Sequence, residues 1–130
     1  MIKVILDTNV VIEVSKDNSA VIDQLVQYNE WLFTSVGLGE LYYGAYNSTQ
    51  LSKHLKECKA IERSKGIIPI SAETTEHYGH IKPNLRKSGK LIPENDIWIA
   101  AIARQLDITL VTMDKHFERI SPLKKILLEK

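Results

Sequence analysis

The sequence predicts an α/β fold: a parallel β-sheet covered on both faces by helices, in a single domain over residues 1–130. Three observations predict it. Short apolar runs of strand length alternate with longer segments whose apolar residues recur every three or four positions. The first run, Ile2 with Val4-Ile5-Leu6, is continuous rather than alternating, as a strand buried on both faces should be. The 130 residues suit one domain, and 44% apolar residues can fill its core without a disulfide or a structural metal.

The elements follow in order. Asp7 ends the first strand, and Asn9 to Ser15 reads as a short helix or turn. Asn18 or Ser19 caps a helix running to about Asn29, with Val21, Ile22, Leu25 and Val26 on one face. Trp31-Leu32-Phe33-Thr34 is a second strand, and Ser35 caps the helix that carries Leu38, Leu41, Tyr42 and Ala45. Asn47 or Ser48 starts a helix with Leu51, Leu55, Cys58 and Ile61 at helical spacing, and Gly66 ends it. Ile67-Ile68-Pro69-Ile70 is a third strand, placed at a sheet edge because Pro69 has no N–H for the ladder. Ser71 opens a helix with Tyr78, Ile81 and Leu85 on one face; Pro83 should kink it, and Ser88-Gly89-Lys90 should end it. Leu91-Ile92-Pro93 leads into an apolar helix from Asp96 to Ala103, whose alanines allow close approach to a sheet. Ile108 to Thr112 is a fourth strand, Lys115 to Ile120 a short helix, and Ile126-Leu127-Leu128 a last strand.

Composition limits the class. The 17 basic and 16 acidic residues sum to +1, which argues neither for nor against a polyanionic partner, since an acidic pocket within a basic rim also sums to nearly zero. A single cysteine, Cys58, allows no intramolecular disulfide. No run is long and apolar enough to span a bilayer, and Lys3 and Asp7 interrupt the apolar N-terminus. A cytoplasmic protein without a membrane partner is expected.

Topology sorts the acids. In a parallel α/β unit the crossover helix runs against the strands, so its N-terminus lies where the strands end. Asp7 and Asp114 follow strands, Glu40 lies early in a helix, and Asp96 begins one. All four therefore belong to one sheet edge, the usual place for a ligand in open α/β folds. Asp107 precedes a strand and belongs to the opposite edge. Glu73 and Glu94 share the first edge, but Glu73 is displaced with the third strand, and Glu94 faces away from Asp96 on its helix. Four carboxylates within about 5 Å repel by roughly 3 kcal/mol per pair at an effective dielectric near 20, over six pairs. Helix N-termini offset only about 0.3–1 kcal/mol each. A hard divalent cation is the expected remedy, and all-oxygen ligands suit Mg²⁺ or Mn²⁺ rather than zinc.

The motifs Leu6-Asp7-Thr8-Asn9, Gly39-Glu40-Leu41 with Gly44, Ile92-Pro93 through Asp96-Ile97-Trp98-Ile99-Ala100-Ala101, and Leu110-Val111-Thr112 with Asp114 and Phe117 stand in register along the chain. In these the chain resembles the PIN-domain ribonucleases of the VapC toxin type. The resemblance implies a PIN-like three-layer α/β/α fold whose five-stranded parallel sheet has the order 3-2-1-4-5. It implies Asp7, Glu40, Asp96 and Asp114 as the catalytic and metal-binding acids, with Asn9 and Thr112 in support. It also implies an RNA substrate, either tRNA or rRNA, products with a 5′-phosphate and a 3′-hydroxyl, a homodimer, and a VapB-type antitoxin whose segment lies over the acidic pocket. Met113 and His116 depart from the pattern, which more often has a basic residue and a further acid at these places.

Each residue also has a plainer reading. Asn9 could simply cap the helix that follows, and Thr112 could be an ordinary strand threonine. His77 and His80 lack a third ligand and read as a solvated helix face. His116 reads as a surface residue or an RNA contact. Lys82, Arg86, Lys87 and Lys90, with Asn84, form either a solvated face or a phosphate grip. Tyr42, Tyr43 and Tyr46 read as core, dimer contacts or stacking platforms, and Trp98 as core.

Three functions follow. The first is a Mg²⁺- or Mn²⁺-dependent endoribonuclease toxin that hydrolyses phosphodiester bonds with an ion-activated water. The second is a phosphatase of the haloacid-dehalogenase type, since Leu6-Asp7-Thr8-Asn9 also resembles that strand-end motif, although Asn9 stands where a second Asp is usual. The third is a catalytically silent PIN binding module.

Overall fold

The computed structural model describes residues 2–64 and 66–129. Its sheet holds β1 (Lys3–Leu6), β2 (Glu30–Thr34), β3 (Gly66–Ile68), β4 (Thr109–Thr112) and β5 (Lys125–Leu127), in the order β3-β2-β1-β4-β5. Every pairing is parallel, with Ile5 opposite Leu32 on one side and Leu110 on the other. The central strand is β1, so Asp7, just past its end, stands at the middle of the sheet's C-terminal edge.

Six helices connect the strands: α1 (Thr8–Ser15), α2 (Ser19–Leu25), α3 (Ser35–Tyr46), α4 (Leu51–Ser64), α5 (Ala72–Lys87) and α6 (Glu94–Leu106). Alternation along β1 splits the core in two. Val4 and Leu6 pack with Val10, Val11, Val21, Leu25, Phe33 and Val111 beneath α1 and α2. Ile5 faces the other way, against α5 and α6, with Ile81, Leu85, Ile97 and Leu110. Ala100, Ala101 and Ala103 are almost fully buried, so the small side chains do bring α6 close to the sheet.

Several boundaries differ from expectation, each because a polar group decides locally. α2 ends at Leu25 rather than near Asn29, because the Leu25 carbonyl accepts from the Tyr28 N–H at 3.0 Å and the Trp31 indole at 3.2 Å. Asn29 instead ties down the start of β1, its Oδ1 accepting from Ile2 N–H at 2.9 Å. Asn18, not Ser19, caps α2. Thr34, not Ser35, caps α3, with its side chain accepting from Gly37 N–H at 3.0 Å. Gly66 opens β3 instead of closing α4, and β3 ends before Pro69. The strand is at the sheet edge, as the proline suggested. Pro83 lies inside α5, which continues to Lys87. α6 begins at Glu94 rather than Asp96, and Lys115–Arg119 is a 3₁₀ turn.

One glycine ties this packing to the site. A Cβ on Gly37 would stand 2.5 Å from the Phe33 ring and 3.0 Å from Thr8 Oγ1. Phe33 is fully buried, so the ring has little room to yield. Gly37→Ala should therefore destabilise the chain by about 1–3 kcal/mol, read as a lowered midpoint in thermal or urea unfolding.

Candidate metal centre

The centre is built from segments far apart in sequence. Asp7 caps α1, its Oδ1 accepting from Thr8 N–H at 2.8 Å. Its other oxygen, Oδ2, accepts from the Thr112 hydroxyl at 2.7 Å, and the hydroxyl oxygen accepts in turn from Asp114 N–H at 2.9 Å. Asp7 N–H also donates to the Val111 carbonyl at 2.9 Å. A strand threonine thus locks Asp7 from the neighbouring strand and sets the turn that presents Asp114. Glu40, in the second turn of α3, accepts from Thr8 Oγ1 at 2.8 Å. Asp96 lies in the first turn of α6.

Asp7, Asn9, Glu40, Asp96 and Asp114 line one cleft of about 460 Å³ at the strands' C-terminal edge, with Thr8, Ile12, Pro93, Glu94 and Asn95. Thr112 sits behind it, buried. The helix-cap reading of Asn9 gives way, because Asp7 occupies the cap and Asn9 falls in the first turn of α1. The Asn9 Oδ1 is buried without a hydrogen-bond partner among the described residues.

Charge crowding shows in the acids themselves. Burial, with Asp96 and Glu40 nearby, lifts the Asp7 carboxyl from 3.8 to about 6, against the lowering effect of Thr112 and Thr8. Burial, then the charges of Asp114 and Glu40, lifts Asp96 to about 6 as well, against the lowering effect of His116. Several carboxyls in one cleft, beside an orphaned amide oxygen, fit a hard divalent cation. All four expected acids line the cleft, and among the described residues Asp96, Asp114 and His116 bring ligand atoms within 4.8 Å of one another, a group that does not include Asp7 or Glu40.

Glu94, expected to face away, also lines this cleft, but its carboxylate is already paired. The Glu94 carboxylate takes Lys82 Nζ at 3.0 Å and the Tyr78 hydroxyl, and these bonds hold its pKa below the usual range. Lys82 is thus paired with Glu94 at the cleft rim. His80 Nδ1 lies 2.9 Å from the Arg104 guanidinium, away from any metal pair with His77. Trp98 is half-buried rather than core, stacked on Tyr78 with ring centroids 3.9 Å apart. Tyr43 and Tyr46 are largely exposed.

Comparison with known proteins supplies the family. The PIN domain profile matches residues 4–122. A ribonuclease VapC2 of Haemophilus influenzae is 36% identical over 129 residues, covering 95% of this chain and 96% of that one. The chain belongs to the VapC-type PIN-domain ribonucleases. A tRNA(fMet)-specific endonuclease VapC of Shigella flexneri is 29% identical over 127 residues, with 95% and 96% of the two chains covered. Among solved structures, VapBC2 of Rickettsia felis, bound to a promoter DNA fragment, superposes with a TM-score of 0.88 at 26% identity, covering 98% of this chain and 100% of that one. Membership sets aside the haloacid-dehalogenase reading of Leu6-Asp7-Thr8-Asn9.

Two contacts in this VapC-type cleft escaped the sequence. Thr8 was visible within its motif, yet nothing there told that its hydroxyl would seat Glu40. His116, read as surface or RNA-facing, lies with Nδ1 3.0 Å from Asp114 Oδ2 and 3.6 Å from Asp96 Oδ2. The motif glycines Gly39 and Gly44 are unexplained by packing within the chain, since a Cβ on either would meet nothing within 4 Å.

The raised acids fix a pH dependence. Both bind protons more tightly folded than unfolded, so their crowding costs nothing below about pH 4 and its full amount above about pH 6. With chelator present, Asp96→Asn should match the parent near pH 4 and exceed it at pH 7 by about 1–2 kcal/mol, roughly 3–6 °C in Tm. Adding Mg²⁺ or Mn²⁺ at pH 7 should close that gap by stabilising the parent alone, as differential scanning calorimetry would show.

Proposed function

We propose that this chain, as a single domain over residues 1–130, is a divalent-metal-dependent endoribonuclease, the toxin of a VapBC-type pair, hydrolysing phosphodiester bonds in tRNA or rRNA. One observation carries the reading: Asp7, Glu40, Asp96 and Asp114, from four segments, share one cleft in which the Asp7 and Asp96 carboxyls are both pushed to about 6. A cluster this unfavourable without a cation would be costly to keep for stability alone.

Within this reading the side chains have distinct roles. Asp7, Glu40, Asp96 and Asp114 hold the Mg²⁺ or Mn²⁺. When bound, such an ion makes a water nucleophilic near neutral pH and offsets charge on the leaving oxygen. Thr8 N–H and the Thr112 hydroxyl orient Asp7, and Thr8 Oγ1 orients Glu40. Asn9 Oδ1, buried and unpaired, faces the same task of accepting from a water or ligand in the cleft.

The relatives support substrate and partner. The Shigella flexneri relative is named for a tRNA, and the Rickettsia felis structure is of VapBC2 bound to a DNA fragment from its promoter. A VapB-type antitoxin is therefore the proposed partner, with a segment over the acidic cleft. An apolar groove of about 920 Å³ between α1, α3 and α4 shares Thr8, Ile12 and Glu40 with the cleft, so a segment laid in it arrives at the acids. A homodimer is proposed on the resemblance alone.

Sequencing of RNA 5′ ends after brief expression tests the activity. The parent chain should yield discrete cuts bearing 5′-phosphates, and Asp7→Asn or Asp96→Asn should lower them at least about 100-fold while keeping native circular dichroism. Cuts by Asp7→Asn at the parent's rate would refute the reading, and metal binding without any cut would favour a silent module. Thr8→Ala should retain cleavage reduced roughly 10-fold, since it loosens Glu40 without removing a carboxylate.

A further inference from the structure

We propose that His116 is itself a metal ligand. Asp96, Asp114 and His116 together hold one divalent ion through two carboxylate oxygens and the imidazole Nδ1, and the nitrogen makes this position prefer a first-row transition ion such as Mn²⁺ over Mg²⁺. The proposal rests on the metal reading of the cleft given above and adds to it the ligand and the ion.

Placement is the first argument. Asp114 caps the 3₁₀ turn, its Oδ1 accepting from His116 N–H at 2.9 Å, which leaves Oδ2 turned to the imidazole. Phe117, fully buried, anchors the same turn in the core. His116 is thus held by its own backbone beside the two acids rather than swinging from a loop. One ligand atom from each of the three residues lies within 4.8 Å of the others.

Spacing is the second. Adjacent ligand atoms on an octahedral ion at about 2.1 Å are about 3 Å apart. Nδ1 lies 3.0 Å from Asp114 Oδ2 and 3.6 Å from Asp96 Oδ2. The 3.0 Å contact lacks the alignment of a hydrogen bond, and Nδ1 is buried with no such partner. A buried nitrogen at ligand spacing from two carboxylates is arranged for an ion between all three. Mg²⁺ is served by oxygen ligands, whereas first-row transition ions accept imidazole readily.

The competing account makes His116 an imidazolium that merely neutralises the two acids and yields to the metal. Electron spin-echo spectroscopy of the tag-free full chain loaded with Mn²⁺ separates the two. Direct ligation predicts a ¹⁴N modulation in the parent that His116→Ala and His116→Asp both abolish. Calorimetric titration without RNA should show Mn²⁺ affinity falling about 10- to 100-fold in His116→Ala. In His116→Asp, whose added carboxylate keeps a site, the preference for Mn²⁺ over Mg²⁺ should shrink about 10-fold. Mn²⁺ bound to the parent without ¹⁴N coupling, or an unchanged preference in His116→Asp, overturns this inference and leaves the nuclease reading standing. Failure of the parent to bind Mn²⁺ at all overturns both.

Discussion

The hydrogen bond from the Thr112 hydroxyl to Asp7 Oδ2 is the interaction on which the rest of the cleft depends. It joins the ends of the two central strands, β1 and β4, at the point where the sheet stops and the chemistry is proposed to begin. Asp7 is nearly fully buried, and a carboxylate there survives only with its oxygens engaged. Thr112 engages one, the first N–H of α1 engages the other, and the same threonine oxygen receives the Asp114 N–H. One side chain thus sets the position of two acids, and a bond of this charged kind contributes about 1.5–3 kcal/mol.

Everything else in the cleft adds charge to that frame. Glu40 comes in from α3 and is met by Thr8, and Asp96 comes in from the first turn of α6. The helix termini offer some relief, yet the Asp7 and Asp96 carboxyls remain well above their ordinary range. The fold therefore holds acids whose burial, and to a lesser degree whose mutual repulsion, costs stability at neutral pH, a cost that a bound cation would offset. Gly37 shows how little slack supports it, since one methyl there presses on both the Phe33 ring and the Thr8 hydroxyl.

The strand order that centres β1 came from the family resemblance, whereas the alternation of strands and helices and the gathering of the acids on one edge were legible from the residues themselves. They follow from period, burial and the direction of crossovers, which short-range pattern carries well. Boundaries were less legible because single polar groups decide them. The Leu25 carbonyl, claimed by Tyr28 and Trp31, stops α2 early, and Thr34 captures the cap expected of Ser35. Trp98 read as core from an apolar helix, yet it lies half-buried against Tyr78, because apolar spacing does not tell which face a partner covers.

The sequence alone determined that a sheet would end in acids at Asp7 and Asp114, with Glu40 and Asp96 brought to the same edge by their helices. Strand direction and helix direction are enough for that. Only the tertiary structure decided which hydroxyl holds which carboxylate, that Glu94 is drawn off to Lys82 and Tyr78, and that His116 stands beside Asp96 and Asp114. Such contacts depend on side-chain direction across elements far apart in the chain, and no periodicity in the sequence encodes that.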